Sequence, residues 1–269
     1  MMNILLRILM LSALIFSAIA EMKAQMAYNL PKRELRAVWL TTLNGLDWPS
    51  APATNEAGIR RQKQELTKIL DQLQAANFNA IVMQTRIRGT VIYPSQIEPI
   101  DAAIGNRATI ASSKSSNSKY YDPLAFAVEE CHKRGMQFHA WVVAIPGNKL
   151  SQVKSLGNAA IHKRVPALTL KTSDNYMLDP GVPGTADYLA DICEEITRNY
   201  DIVGISLDYI RYPEKEIRFS DAATYRKYST GSQNLADWRR SNINRIVQAV
   251  HRRVKAIKPW VALSCSPVG

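Results

Sequence analysis

Residues 203–213 read VGISLDYIRYP, and the alternation in the first seven of them decides how the chain is put together. Val203, Ile205 and Leu207 fall on one parity, Gly204, Ser206 and Asp208 on the other. Successive side chains of a strand point to opposite faces, so a strand here turns a bulky apolar set toward covering helices and a small, polar set inward. Asp208 then stands at the carboxyl end of the inward face. A carboxylate set in an apolar run needs a partner, a shifted pKa or a task.

The same contrast of periods recurs on both sides of this stretch. Period-2 or short apolar runs predict strands over 35–42 (LRAVWLTT), 80–85, 137–144, 203–209 and 261–266. Helical spacing predicts helices over 59–76, with Leu66, Ile69, Leu70 and Leu73 on one face, and over 123–134, 185–199 and 235–257. Gly135 ends the second and Pro259 stops the last. Five strands alternating with four helices predict an α/β chain of right-handed βαβ units, a partial (β/α)8 barrel with parallel strands. Connections after strands are long: 93–120, with the low-complexity run ASSKSSNSK at 111–119, and 146–179. Those after helices are short, so the carboxyl ends of the strands are the functional face.

Parity sorts the other strands as well. Trp39 and Thr41, then Gln84, Arg86 and Arg88, then Gln137, His139 and Trp141 fall inward, and the mouth is expected to gather Arg86, His139, Trp141 and Asp208. Structural readings stand beside this one: an Arg86–Asp208 ion pair, a satisfied core histidine, a tryptophan as filling. A one-residue bulge would turn the later side chains of a strand to the other face.

The chain has 269 residues, 46% hydrophobic and 21% charged, enough apolar material for one barrel domain over 30–269. Residues 1–20 read as a secretory signal: Arg7 precedes an apolar run over 8–19, and Ala18-Ile-Ala20 has the small-x-small pattern, with cleavage between 20 and 25. The run is shorter than the ~20 residues a bilayer requires, so export to the periplasm or cell envelope without stable membrane insertion is expected. The net charge of +11 is spread over RRQKQ (60–64), HKR (132–134), HKR (162–164) and HRRVK (251–255), the pattern of solvated faces rather than of a nucleic-acid surface. Cys131, Cys193 and Cys265 lie far apart and read as small buried apolar residues. His132, His139, His162 and His251 lack ligand spacing, and phosphate-binding glycine loops, HExxH and GxSxG are absent, so neither a metal nor an organic cofactor is expected. Carboxylates, histidine, arginine and the aromatics Trp39, Trp48, Trp141, Tyr209 and Tyr212 remain, the residue types that hold sugar rings and cleave glycosidic bonds.

The runs RAVWLTTLNGLDWP (36–49), MQTRIRGTVIYPSQIEP (83–99), YDPLAFAVEECHKRGMQFHAW (121–141), LDPGVPGTADYL (178–189) and GISLDYIRYP (204–213) occur in that order. Together they resemble the glycosyl-hydrolase-like 10 family of secreted bacterial barrels. The resemblance implies a glycosidase-like fold and a polysaccharide substrate, with peptidoglycan glycan strands among the options. It puts Gln84, Arg86, His139, Trp141, Asp179 and Asp208 at the family's strand-end positions. Tyr209 stands where many relatives carry a second acidic residue, and the resemblance implies further βα units after Gly269. The expected assignments are Asp208 as the essential carboxylate, Glu214 or Asp179 as its partner, and Gln84, Arg86, His139, Trp141, Trp39, Tyr209 and Arg211 as substrate-binding. A non-catalytic glycan-binding barrel, or an inactive piece of a longer hydrolase, is the competing reading, and a Schiff-base chemistry on Lys149 or Lys171 a third.

Overall fold

The computed structural model describes residues 34–105, 121–214 and 217–266. The signal sequence expected at 1–20 and the low-complexity run at 111–119 lie outside the described residues. The elements described all belong to the unit Ala37–Gly269.

In chain order these are β1 (Ala37–Leu40), α1 (Glu56–Ala75), β2 (Ala80–Arg86), α2 (Pro123–Lys133), β3 (Gln137–Val143), β4 (Pro146–Lys149), α3 (Leu150–Leu156), α4 (Ile161–Arg164), β5 (Thr169–Lys171), β6 (Asn175–Leu178), α5 (Gly184–Asn199), β7 (Gly204–Asp208), α6 (Ala222–Tyr228), α7 (Leu235–Ile257) and β8 (Ala262–Ser266). One sheet has the order β1-β2-β3-β7-β8, every pair parallel. All five strands and four helices expected from periodicity are present, and their order is that of a (β/α)8 barrel wall.

Local chemistry explains where the helices begin. Asn55 accepts from the Gly58 amide at 2.9 Å, Asp122 from Leu124 and Ala125 at 3.0 Å each with Pro123 following, and Asn234 from Asp237 at 2.9 Å. Each side chain satisfies amides that no helical carbonyl can reach. Gly135, at φ +66°, ends α2 in a conformation that costs glycine little. Apolar stripes then cover the sheet: Leu66 and Leu70 of α1, Leu189, Ile192 and Ile196 of α5, Ile246, Val250 and Val254 of α7 pack with Ile81, Met83, Phe138, Ala140, Ile205 and Leu207 in one core. Burying a leucine or isoleucine contributes roughly 1.5–3 kcal/mol, so these stripes outweigh any intrinsic helix preference.

Two features depart from the sequence reading. Residues 146–178, expected as a long excursion, build a second, antiparallel sheet of order β4-β6-β5, together with α3 and α4. Its strands have three or four residues, too few for alternation to register. The pairing of β2 with β3 also slips: Gln84 faces Trp141, whereas Arg86 faces Val142. The bulge turns Arg86 away from the inward face. Cys131 and Cys193 are buried, and burial pushes both thiols up to about 12; Cys265, expected to be buried, is exposed on β8 at one edge of the sheet.

Candidate active site

Asp208 ends β7. Its Oδ2 accepts from the Trp141 indole Nε1 at 3.0 Å and its Oδ1 from the Tyr209 amide at 2.8 Å. The second bond depends on an unusual backbone, because Tyr209 has φ +49°, the left-handed region that L side chains avoid. That turn folds the amide back onto the carboxylate and sends the Tyr209 ring outward, 40% exposed, with the Arg211 guanidinium 4.8 Å over it. Trp141 meets Trp39 edge to face, centroids 4.9 Å apart at 88°, and Trp39 is 46% exposed. Asp208, Trp141, Trp39, Tyr209 and Arg211 therefore form one wall, with a fixed carboxylate beside accessible aromatic surface.

The left-handed turn yields a stability test. Tyr209→Gly is expected to unfold within about 1 kcal/mol of the parent, because relief of the strain offsets glycine's entropy. Tyr209→Val should lose about 2 kcal/mol, since a β-branched residue tolerates this conformation worst. Urea denaturation of the two variants checks the difference.

Three of the expected site residues lie elsewhere. Arg86 is fully buried: Nε and Nη2 donate to the two oxygens of Glu98 at 2.8 Å each, and Nη1 donates to the carbonyls of Val143 and, at 3.0 Å, Ala144. Tyr188, on α5, donates to the same Glu98 at 2.7 Å, so this network belongs to the helix side of the sheet. The bulge is the reason. His139 pairs in register with Gly204, while Val143 pairs with Asp208. Four residues of strand, roughly 13 Å, thus separate the histidine from the row of Asp208. Its ring fills the space over Gly204, where a Cβ would stand 2.3 Å from Nδ1, and burial holds the imidazole below its usual pKa. Gln84 does face inward, but its Oε1 accepts from Thr41 Oγ1 and the amides of Thr42 and Leu43 at 2.8–3.1 Å. It shapes the loop after β1.

The partner carboxylates separate by environment. Asp179 is 1% exposed, and its oxygens accept from the Gly181 amide at 2.9 Å and the Thr224 hydroxyl at 2.6 Å. These bonds tie the loop after β6 to α6 and engage both oxygens of the expected partner carboxylate. Burial, the largest influence, raises its pKa, against the bonds from Thr224 and Gly181. The sign follows: a carboxyl whose folded pKa is raised contributes stability fully below the unfolded value of about 4 and loses it as pH rises through the folded pKa. Asp179→Asn should remove that decline, so the thermal midpoints of parent and variant diverge between pH ~4 and neutrality. Parallel curves would show that the carboxyl titrates alike in both states. Glu214 is exposed, and the Arg211 hydrogen bond at 2.7 Å holds its carboxyl below the usual range.

Glu98 and Thr224 escaped the sequence reading. Glu98 carried a signal, a carboxylate in the stretch Ser95–Pro99 (SQIEP) next to an apolar run; Thr224 carried none.

A sequence model of the family described as "Glycosyl hydrolase-like 10" matches residues 34–269. Among curated proteins, "Glycosyl hydrolase YngK" of Bacillus subtilis (strain 168) is 33% identical over 251 residues, 91% of this chain and 47% of that protein. "Glycosyl hydrolase DigH" of Escherichia coli (strain K12) is 32% identical over 249 residues, 87% of this chain and 55% of that one. The chain thus spans about half the length of these relatives. Among solved structures, an α-L-fucosidase isoenzyme 2 from Paenibacillus thiaminolyticus superposes with a TM-score of 0.55 at 14% identity, over 87% of this chain and 32% of that one. A GH20 exo-β-N-acetylglucosaminidase from Vibrio harveyi in complex with N-acetylglucosamine gives 0.53 at 11% identity, over 88% and 36%. At such identities the likeness is one of fold, that of TIM-barrel glycosidases.

Proposed function

Because the chain belongs to the glycosyl hydrolase-like 10 family, we propose that it hydrolyses glycosidic bonds in a bacterial or other complex polysaccharide, peptidoglycan glycan strands among them, with Asp208 as an essential carboxylate. The observation that carries this reading is the grip on Asp208: an indole N–H on one oxygen and a backbone N–H on the other, beside the exposed faces of Trp39 and Tyr209. Both groups are obligate donors, so the pair suits a carboxylate that attacks the anomeric carbon, or stabilises positive charge there, rather than one that hands over a proton. Aromatic faces beside it can hold the apolar faces of sugar rings.

Glycoside cleavage needs a second carboxyl group. Glu214 is the candidate on the loop after β7, and it becomes a proton donor only when substrate draws Arg211 away, since the pair otherwise keeps it charged. Export to the periplasm or cell envelope is part of the same proposal, supported by the Arg7 and apolar 8–19 pattern.

The test is release of new reducing ends from purified glycan strands, with the anomeric form of the first product followed by NMR. Retention corresponds to carboxyl groups about 5 Å apart and inversion to about 6.5–9.5 Å. Glycan binding without any release would make the chain a binding barrel and overturn the hydrolase reading.

A further inference from the structure

The second sheet builds a feature that the wall around Asp208 does not use. A cavity of about 480 Å³ opens between Arg88, Lys149, Ser151, Ser173, Asp174 and Asn175. Arg88 follows β2 and Lys149 ends β4, just after β3, so the cavity lies beyond the carboxyl ends of β2 and β3, on the functional face. Asn175 is the cross-strand backbone partner of Lys149, and its Oδ1 accepts from Arg88 Nη1 at 3.3 Å. Among the described residues no carboxylate is within ion-pair distance of either cation, and two cations stand against one lining carboxylate, Asp174.

The frame that holds them is firm. Asn148 is fully buried, donates to the Arg88 carbonyl at 2.6 Å and accepts from the Ile161 amide at 2.7 Å, stitching the loop after β2 to the second sheet. Gly147 permits the close approach, since a Cβ there would stand 2.5 Å from the Tyr176 carbonyl oxygen. Two cations without a carboxylate partner among the described residues, in a recess also lined by Ser151 and Ser173, suit an anion.

We propose that this cavity is an accessory subsite, resting on the glycan-hydrolase reading, that takes a carboxylate carried by a sugar of the substrate, with Arg88 and Lys149 as its ligands and Ser151 or Ser173 as added donors. The substrate class is accordingly an acidic glycan. Arg88 offers a fork matched to a carboxylate, and Lys149 a point charge.

The experiment is equilibrium binding of the whole chain to two chain-matched oligosaccharides, one bearing a carboxylate on alternate sugars and one whose carboxyls are reduced to alcohols. The acidic form should bind about tenfold more tightly at low ionic strength, and the preference should shrink as salt is added. Arg88→Gln with Lys149→Gln should bring the preference close to one, while Lys149→Arg should retain most of it. Equal affinity for the two oligosaccharides, or a preference untouched in the double variant with a native circular-dichroism spectrum, overturns the subsite. Reducing-end release separates the two proposals. A preference without cleavage of either glycan overturns the hydrolase reading and leaves the subsite standing, whereas cleavage of both with no preference does the reverse.

Discussion

Asp208→Asn should lower reducing-end release by about 10²-fold or more, with the fold retained. Asparagine matches aspartate in shape but supplies one acceptor oxygen where the site presents two donors, Trp141 Nε1 and the Tyr209 amide. One donor must therefore face the amide NH2, and the charge that would meet the anomeric centre is gone. Trp141→Phe is the companion variant: it keeps an aromatic face while removing the N–H that holds Oδ2. Trp141 is a positioning residue in this account, so its loss should lower kcat by about tenfold with little change in KM. If the ring served only as a sugar platform, KM would move instead. Unchanged turnover in Asp208→Asn would remove Asp208 from the mechanism.

The largest stability effect is expected at Glu98. Glu98→Gln leaves the Arg86 guanidinium charged at 0% exposure, with the carbonyls of Val143 and Ala144 but no counter-charge. Breaking one side of a buried pair costs about 3–5 kcal/mol, whereas removing both sides can cost far less. Glu98→Gln should thus lower the apparent Tm by roughly 10 °C, and the double variant Arg86→Leu with Glu98→Leu should recover part of it. A single variant as stable as its parent would show that the pair is not desolvated in solution. The damage should also reach the site, because Arg86 binds the carbonyls of Val143 and Ala144 and the Ala144 amide donates to the Asp208 carbonyl at 2.8 Å. Arg86 acts on the carboxylate through the end of β3, not by touching a substrate.

Much of the arrangement was legible in the residues themselves. Period-2 alternation in 203–208 and the apolar stripes of 59–76 and 235–257 are local consequences of strand and helix geometry, so the order of βα units and the inward parity of Trp39, Gln84, Trp141 and Asp208 could be read directly. Arg86, two residues beyond Gln84, could not. Its parity was correct up to the slip between Gln84 and Arg86, and a bulge is set by hydrogen bonding to the neighbouring strand, which leaves no mark in composition.

Asp179 shows the same limit. A carboxylate on a long loop that follows a strand invites a catalytic role, yet its meaning rests on Thr224, forty-five residues away, and on the Gly181 amide. The antiparallel sheet of residues 146–178 was hidden because three- and four-residue strands are stabilised by pairing with each other rather than by any pattern of their own. By itself, then, the sequence determined the class of fold, the functional end of the sheet and the strand that presents Asp208, since each follows from the periodicity of one segment. Only the tertiary structure decided that Arg86 faces Glu98, that Trp141 and Tyr209 share the carboxylate, and that Arg88 and Lys149 line one recess with Asn175. Each of these depends on how separate elements pack, through strand register and the cost of leaving a buried polar group without a partner.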